Sequence, residues 1–136
     1  MPTLYLVRGL PGSGKTTRAK AIAVEEGAVM AAADDYFYHD GRYAFDPSKL
    51  SAAHADCQRR AKDALAAGLS VVVHNTTVRR WEADAYFAMA REHGCPVVVV
   101  DLFDAGLADG QLSRRNLHGV PAATIARMRA AYDDIS

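Results

Sequence analysis

The chain has 136 residues, with 16 basic and 16 acidic side chains and a formal net charge of zero. That length allows one domain with one core, and the charge balance excludes a broad nucleic-acid-coating surface while leaving room for a local basic groove. No apolar run is long enough to span a membrane, no signal-peptide pattern opens the chain, and Cys57 and Cys95 stand apart without metal spacing, so a cytoplasmic protein with reduced thiols is expected.

The apolar run after Pro2 predicts a strand over about Thr3–Val7, followed by a helix over about Lys15–Glu26 that stops at Gly27. Ala28–Ala33 reads as a second strand of small residues. Asp34–Asp46 is polar, aromatic and glycine-containing, so an irregular excursion is expected there. Asp46 then offers a cap and Pro47 a first turn. Leu50, His54, Cys57, Ala61 and Leu65 fall on one face of the helix that follows, and Gly68 ends it. Val71–Val73 is a short buried strand. A third helix is expected from about Arg79 to His93, packed by Trp81 and Tyr86. Four successive valines, Val97–Val100, predict a buried parallel strand. Asp109–Leu117 suits a short helix, and Pro121 opens a last one with Ile125, Met128 and Tyr132 on one side. Strands alternating with helices imply an α/β fold: a parallel sheet of about four strands covered on both faces. Ligands of such sheets sit beyond the carboxyl ends of the strands, where the Gly9–Thr16 loop, Asp34, His74 and Asn75 all fall.

Residues 9–16 read Gly-Leu-Pro-Gly-Ser-Gly-Lys-Thr, the pattern G-x-x-x-x-G-K-[ST] between a strand and a helix. This is the context of a phosphate-binding loop. Gly9, Gly12, Ser13 and Gly14 would wrap backbone N–H groups around phosphates, with Pro11, which has no N–H, as a further residue of the loop at the nucleotide, and the helix N-terminus with Thr17 adds partial positive charge. Lys15 would reach the β- and γ-phosphates and the Thr16 hydroxyl would ligate Mg²⁺. The plain alternative is a glycine-rich turn with an incidental lysine. A guanine-reading N-K-x-D tetrapeptide is absent, and small size with a polar segment after strand two favours a phosphotransferase over a switch or a motor.

The segments G-L-P-G-S-G-K-T-T, A-D-D-Y, V-V-V-H-N-T and R-R-N-L-H-G-V-P follow one another in the order found in the P-loop kinase family of bacteriophage polynucleotide kinase. The chain resembles that family over nearly its whole length, and most of all its small ATP-binding members. The resemblance implies a P-loop NTPase-type three-layer sandwich in a single domain over residues 1–136, with a lid near 106–120. It also implies transfer of the ATP γ-phosphate to a hydroxyl, with a single-stranded or 5′-end nucleic acid as the expected partner. Asp34 matches the family's general base. Arg114 and Arg115 match lid arginines that suit the charge on equatorial phosphoryl oxygens. Where the polynucleotide kinase lid carries a further arginine before a glycine, this chain has His118 before Gly119. His74 and Asn75 likewise depart from the acidic pattern of closer relatives.

Several residues carry two readings. Asp34 and Asp35 either serve catalysis and substrate or cap a turn. The arginine pair either meets phosphate or forms a solvated face. His54 is either a core histidine or an acceptor contact. The aromatic residues around Arg42 either stack on a base or seal the core. Asp101 either helps organise Mg²⁺ or lies within the strand. Asp35, Arg42, His54, Asn75 and Thr76 are the expected acceptor contacts. The expected activity is an ATP- and Mg²⁺-dependent transfer to a polynucleotide 5′-hydroxyl. A small-molecule kinase and a nucleotide-binding module are the alternatives.

Overall fold

The computed structural model describes residues 1–135. In chain order its elements are β1 (Leu4–Arg8), α1 (Lys15–Glu26), β2 (Val29–Ala31), β3 (Tyr38–His39), β4 (Arg42–Tyr43), α2 (Leu50–Ala66), β5 (Val71–His74), α3 (Asp84–Glu92), β6 (Val97–Asp101), α4 (Asp109–Arg115) and α5 (Ala122–Ala131). Short 3₁₀ turns at Ala33–Phe37, Pro47–Lys49 and Arg80–Ala83 link them.

The main sheet has the order β2-β5-β1-β6, with every pair parallel. Leu4 lies opposite Val71 and Val97, and Val7 opposite His74 and Val100. Side chains alternate across such strands. Leu4, Leu6, Val71 and Val73 therefore face α2 and α3, against Cys57, Ala61, Leu65, Tyr86 and Met89. Val7 and Val72 face the other way, against Ala19 and Ile22 of α1. Helices cover both faces, as the alternation of elements predicts. A third cluster of Leu10, Leu112 and Ile125 joins the phosphate-binding loop to α4 and α5.

The structure corrects several expectations. Val97–Val100 is a parallel strand at the sheet edge, and Val98 is 43% exposed. A run of valines records β-preference and apolarity, but the chain topology decides which strand ends at an edge. The second strand is only three residues long, because Ala33 already belongs to a 3₁₀ turn. The excursion after Asp34 contains a two-stranded hairpin with Tyr38 opposite Tyr43. Asp40 and Gly41 form its turn with φ of 51° and 79°, the left-handed pair that a two-residue hairpin needs. Asp46 caps the 3₁₀ turn Pro47–Lys49 rather than the helix itself. Leu50 and Trp81 are largely exposed, so the stripe on α2 starts later than expected and Trp81 does not pack α3.

The last residue of β1 has a task its position in the sequence conceals. Arg8 is fully buried, which requires its charge to be matched. Its guanidinium donates to the carbonyls of Thr77 and Val78 and pairs with Asp101 at 2.8 Å. It also lies 3.9 Å from the centre of the Tyr132 ring. Asp101 in turn accepts from the Tyr132 hydroxyl and the Phe103 N–H. Its carboxylate is thus committed to holding β1, β6 and Tyr132 together.

Candidate active site

The loop after β1 is shaped by backbone conformation. Gly12 and Gly14 adopt φ of 82° and 99°, which a side chain strongly disfavours. At Gly12 a Cβ would also lie 2.3 Å from the Leu112 carbonyl oxygen, so α4 rests directly on the loop. Gly9 lies beneath Ser13, whose hydroxyl a Cβ at position 9 would meet at 2.4 Å. That Ser13 Oγ is buried with no hydrogen-bond partner, the one such side-chain atom among the described residues. Buried polar atoms are normally satisfied, so an unpaired hydroxyl here suits a ligand oxygen. Lys15 donates from Nζ to the Leu10 carbonyl at 3.1 Å. Burial pushes its pKa down to about 8, against the opposing pull of Asp34. Lys15, Thr16 and Thr17 open α1, whose first N–H groups lack intrahelical partners. A cavity of about 600 Å³ lies over the loop and is lined by Gly12, Gly14, Lys15, Thr16, Thr17 and Arg115 among others. Glycine cradle, orphan hydroxyl, lysine and helix terminus together fit a nucleotide polyphosphate.

Asp34 stands on the 3₁₀ turn beyond β2, and its neighbours fix that turn. The Ala32 N–H donates to Asp35 Oδ2 and the Ala33 N–H to Asn75 Oδ1, at 3.1 and 2.8 Å. Arg60 donates to both Asp35 Oδ2 and the Ala32 carbonyl. Of the two aspartates, then, Asp35 is the turn cap, and Asn75 reaches across from the end of β5 to brace the same turn. The Asp34 carboxylate is left for other contacts. Its Oδ1 accepts from the Tyr43 hydroxyl at 3.1 Å, and its Oδ2 lies 3.1 Å from His118 Nδ1. Burial, with Asp34 adding its charge and hydrogen bond, pushes the Tyr43 pKa up.

A second cavity, about 510 Å³, opens on the far side of Asp34. Tyr43 and Phe45 from the hairpin segment, Leu50 and His54 from α2, Asn75 and Thr76 after β5, and Thr124 and Met128 from α5 line it. Pro11, Lys15, Asp34, His74 and His118 line both cavities. Burial pushes the His74 pKa down, which favours its neutral form. Any group bound over the loop and any group bound in the second cavity would therefore meet at Asp34 and Lys15.

The expected residues divide clearly. Arg115 lines the phosphate-side cavity, whereas Arg114 is exposed and lines neither. His54 and Thr76 line the second cavity. Arg42 is exposed on the hairpin, outside both. The aromatic group splits as well: Phe37 is buried in the core, while Tyr43 and Phe45 face the second cavity. Sequence reasoning singled out neither Tyr43 as a partner of Asp34 nor the α5 wall. The α5 residues carry no local signal, because only tertiary packing brings that helix to the cavity.

A family model described as an AAA domain matches residues 4–135. Human NEDD4-binding protein 2 is 37% identical over 132 residues, which is 95% of this chain and 8% of that protein. The chain thus spans less than a tenth of this much longer relative. A sugar kinase structure from Janibacter sp. HTCC2649 superposes with a TM-score of 0.71 at 21% identity, covering 100% of this chain and 80% of that one. A chain of the Pnkp1/Rnl/Hen1 RNA repair complex superposes with a TM-score of 0.75 at 19% identity, over 96% of this chain and 43% of that one. At those identities the two structures show a shared P-loop kinase fold. The loop, the parallel sheet and the matched span agree, and the chain belongs to the AAA_33 family of P-loop kinase-like AAA domains.

Proposed function

We propose that this kinase-like domain transfers the γ-phosphate of ATP to a hydroxyl, and that the acceptor is a polynucleotide 5′-hydroxyl. The observation that carries the reading is Asp34, whose carboxylate lies on the wall common to the two cavities. One cavity suits the polyphosphate and the other the acceptor.

In this reading Lys15 and the loop N–H groups bind the β- and γ-phosphates, with Ser13 Oγ available to a phosphate oxygen. Thr16 would hold Mg²⁺, which when bound neutralises charge on the phosphates. The acceptor hydroxyl gives its proton to Asp34 as its oxygen bonds to the γ-phosphorus, and the bond from that phosphorus to the bridging oxygen of ADP breaks. Arg115 lies on the phosphate side, where its guanidinium would meet the equatorial oxygens; α4 and the segment after it act as the lid. The turn that carries Asp34 is braced by Asn75, Asp35 and Arg60, so the base is aimed before substrate arrives.

The structural likeness to an RNA repair complex chain supports the nucleic-acid acceptor. The likeness to a sugar kinase, and the apolar wall from Leu50, Val120 and Met128, support a small-molecule acceptor as the second reading. Incubation with γ-labelled ATP and a panel of 5′-hydroxyl oligonucleotides, nucleosides and sugars separates them. Label on the oligonucleotides is expected. Label on small molecules alone would overturn the nucleic-acid acceptor, and ATP binding without any transfer would leave a nucleotide-binding module.

A further inference from the structure

We infer that His118 is a positioning residue for the Asp34 carboxylate, holding the base from the lid side instead of contacting the transferred phosphoryl group. This rests on the reading of Asp34 as the base. His118 stands where the polynucleotide kinase lid carries an arginine, and its surroundings give it a different task.

The His118 ring is fixed on three sides. Its Nδ1 is 3.1 Å from Asp34 Oδ2 and its Nε2 is 3.0 Å from the Tyr38 hydroxyl. Its face lies on the Tyr43 ring, with centroids 4.1 Å apart and planes 15° from parallel. Tyr38 and Tyr43 are directly opposite each other in the hairpin, so one small element presents both. Tyr43 also donates its hydroxyl to Asp34 Oδ1. Each carboxylate oxygen is therefore gripped once, one from the hairpin and one from the segment after α4. Each keeps a free lone pair for an incoming hydroxyl.

The backbone that presents the ring is equally constrained. Asn116 Oδ1 accepts from the N–H groups of His118 and Val120, and its Nδ2 donates to the carbonyls of Ser113 and Val120. One side chain thus laces the turn that carries His118. A carboxylate accepts only, so the contact at Oδ2 requires a proton on Nδ1. Nε2 can then accept from Tyr38, which satisfies the ring without a net charge. An arginine at this position would bring a permanent cation and a long flexible stem. An imidazole held between two tyrosines brings a short, directed donor instead.

The test uses the intact chain, with steady-state transfer and one spectroscopic readout. His118→Ala should lower kcat by about 30-fold through a misaligned base, with KM for ATP changed less than about twofold. His118→Asn, whose amide nitrogen stands near the position of Nδ1, should recover most of the loss. His118→Gln, whose amide reaches toward the position of Nε2, should not. A phosphate-contacting histidine would instead raise KM for ATP and gain nothing from asparagine. An unchanged kcat in His118→Ala, or equal defects in the Asn and Gln variants, would overturn the inference. Long-range ¹H–¹⁵N spectra of histidine-labelled, nucleotide-free protein should show Nδ1 protonated, with a signal that moves in Asp34→Asn. A bare Nδ1 would also overturn it. Should the wild type label no hydroxyl, the base role of Asp34 falls, and the Nδ1 proton alone decides whether His118 holds that carboxylate.

Discussion

The proposed phosphate side and the proposed acceptor side of the crevice are built by different means. Backbone makes the phosphate side: glycines at φ of 82° and 99°, a helix terminus and one lysine, all within eight residues of sequence. Side chains from separated segments make the acceptor side. Asn75 braces the turn under Asp34 through the Ala33 N–H, Tyr43 donates to the Asp34 carboxylate and His118 meets it, and Tyr38 and His118 are 80 residues apart. A backbone site works in any protein that can form the loop. A site of converging side chains works only when the whole fold has assembled, so it is the part free to diverge between acceptors.

That contrast makes separable predictions. The largest effect falls on the phosphate side: Lys15→Ala should weaken ATP binding by about 100-fold or more, because charge-assisted bonds to phosphate are lost. Calorimetric titration with ATP reads this directly, and an unchanged Kd would break the assignment of the cavity. On the acceptor side, Asn75→Ala frees the Ala33 N–H and loosens the turn under Asp34. It should lower kcat by about 20-fold while ATP affinity holds. Equal losses in both quantities would show that the two sides are not independent.

A smaller effect is set by the proton on Lys15, whose pKa is pushed down to about 8 by burial. Polyphosphate needs the ammonium, so ATP affinity should fall by about tenfold between pH 7 and 9. The folded, nucleotide-free protein moves the opposite way. Its Lys15 loses the proton more easily than the ordinary value of 10.5 in the unfolded chain. The unfolded state holds more protons between about pH 8 and 10.5, so this group's contribution to stability rises across that window. Parallel titrations of ATP affinity and thermal stability should therefore diverge above pH 8. A parallel fall in both would remove Lys15 as the cause.

How much of this was legible follows the same division. The loop, α1 and the alternation of strands with helices that implies a parallel sheet are local or periodic features, and the sequence states them openly. The element pattern already put Asp34 beyond a strand's carboxyl end, but its expected part as the base came only from resemblance to a family segment, and nothing near it in sequence announces Tyr43 or His118 as its partners. The hairpin has a local signal, the Asp40-Gly41 pair between Tyr38 and Tyr43, set within a segment that otherwise reads as irregular. Arg8 had none: it looks like the end of a strand, and its burial becomes sensible only once Asp101, Thr77 and Tyr132 surround it. The edge position of β6 was equally hidden, since four valines read alike at the centre and the border of a sheet.

The central claim is that Asp34 serves transfer and not nucleotide binding. Asp34→Asn keeps the shape and the hydrogen bond from Tyr43 but removes the proton acceptor. Measured side by side with the wild type, label transfer from γ-labelled ATP should fall by about 1,000-fold, while the Kd for ATP changes less than about threefold. Transfer at an undiminished rate, or ATP binding lost together with transfer, would contradict the account.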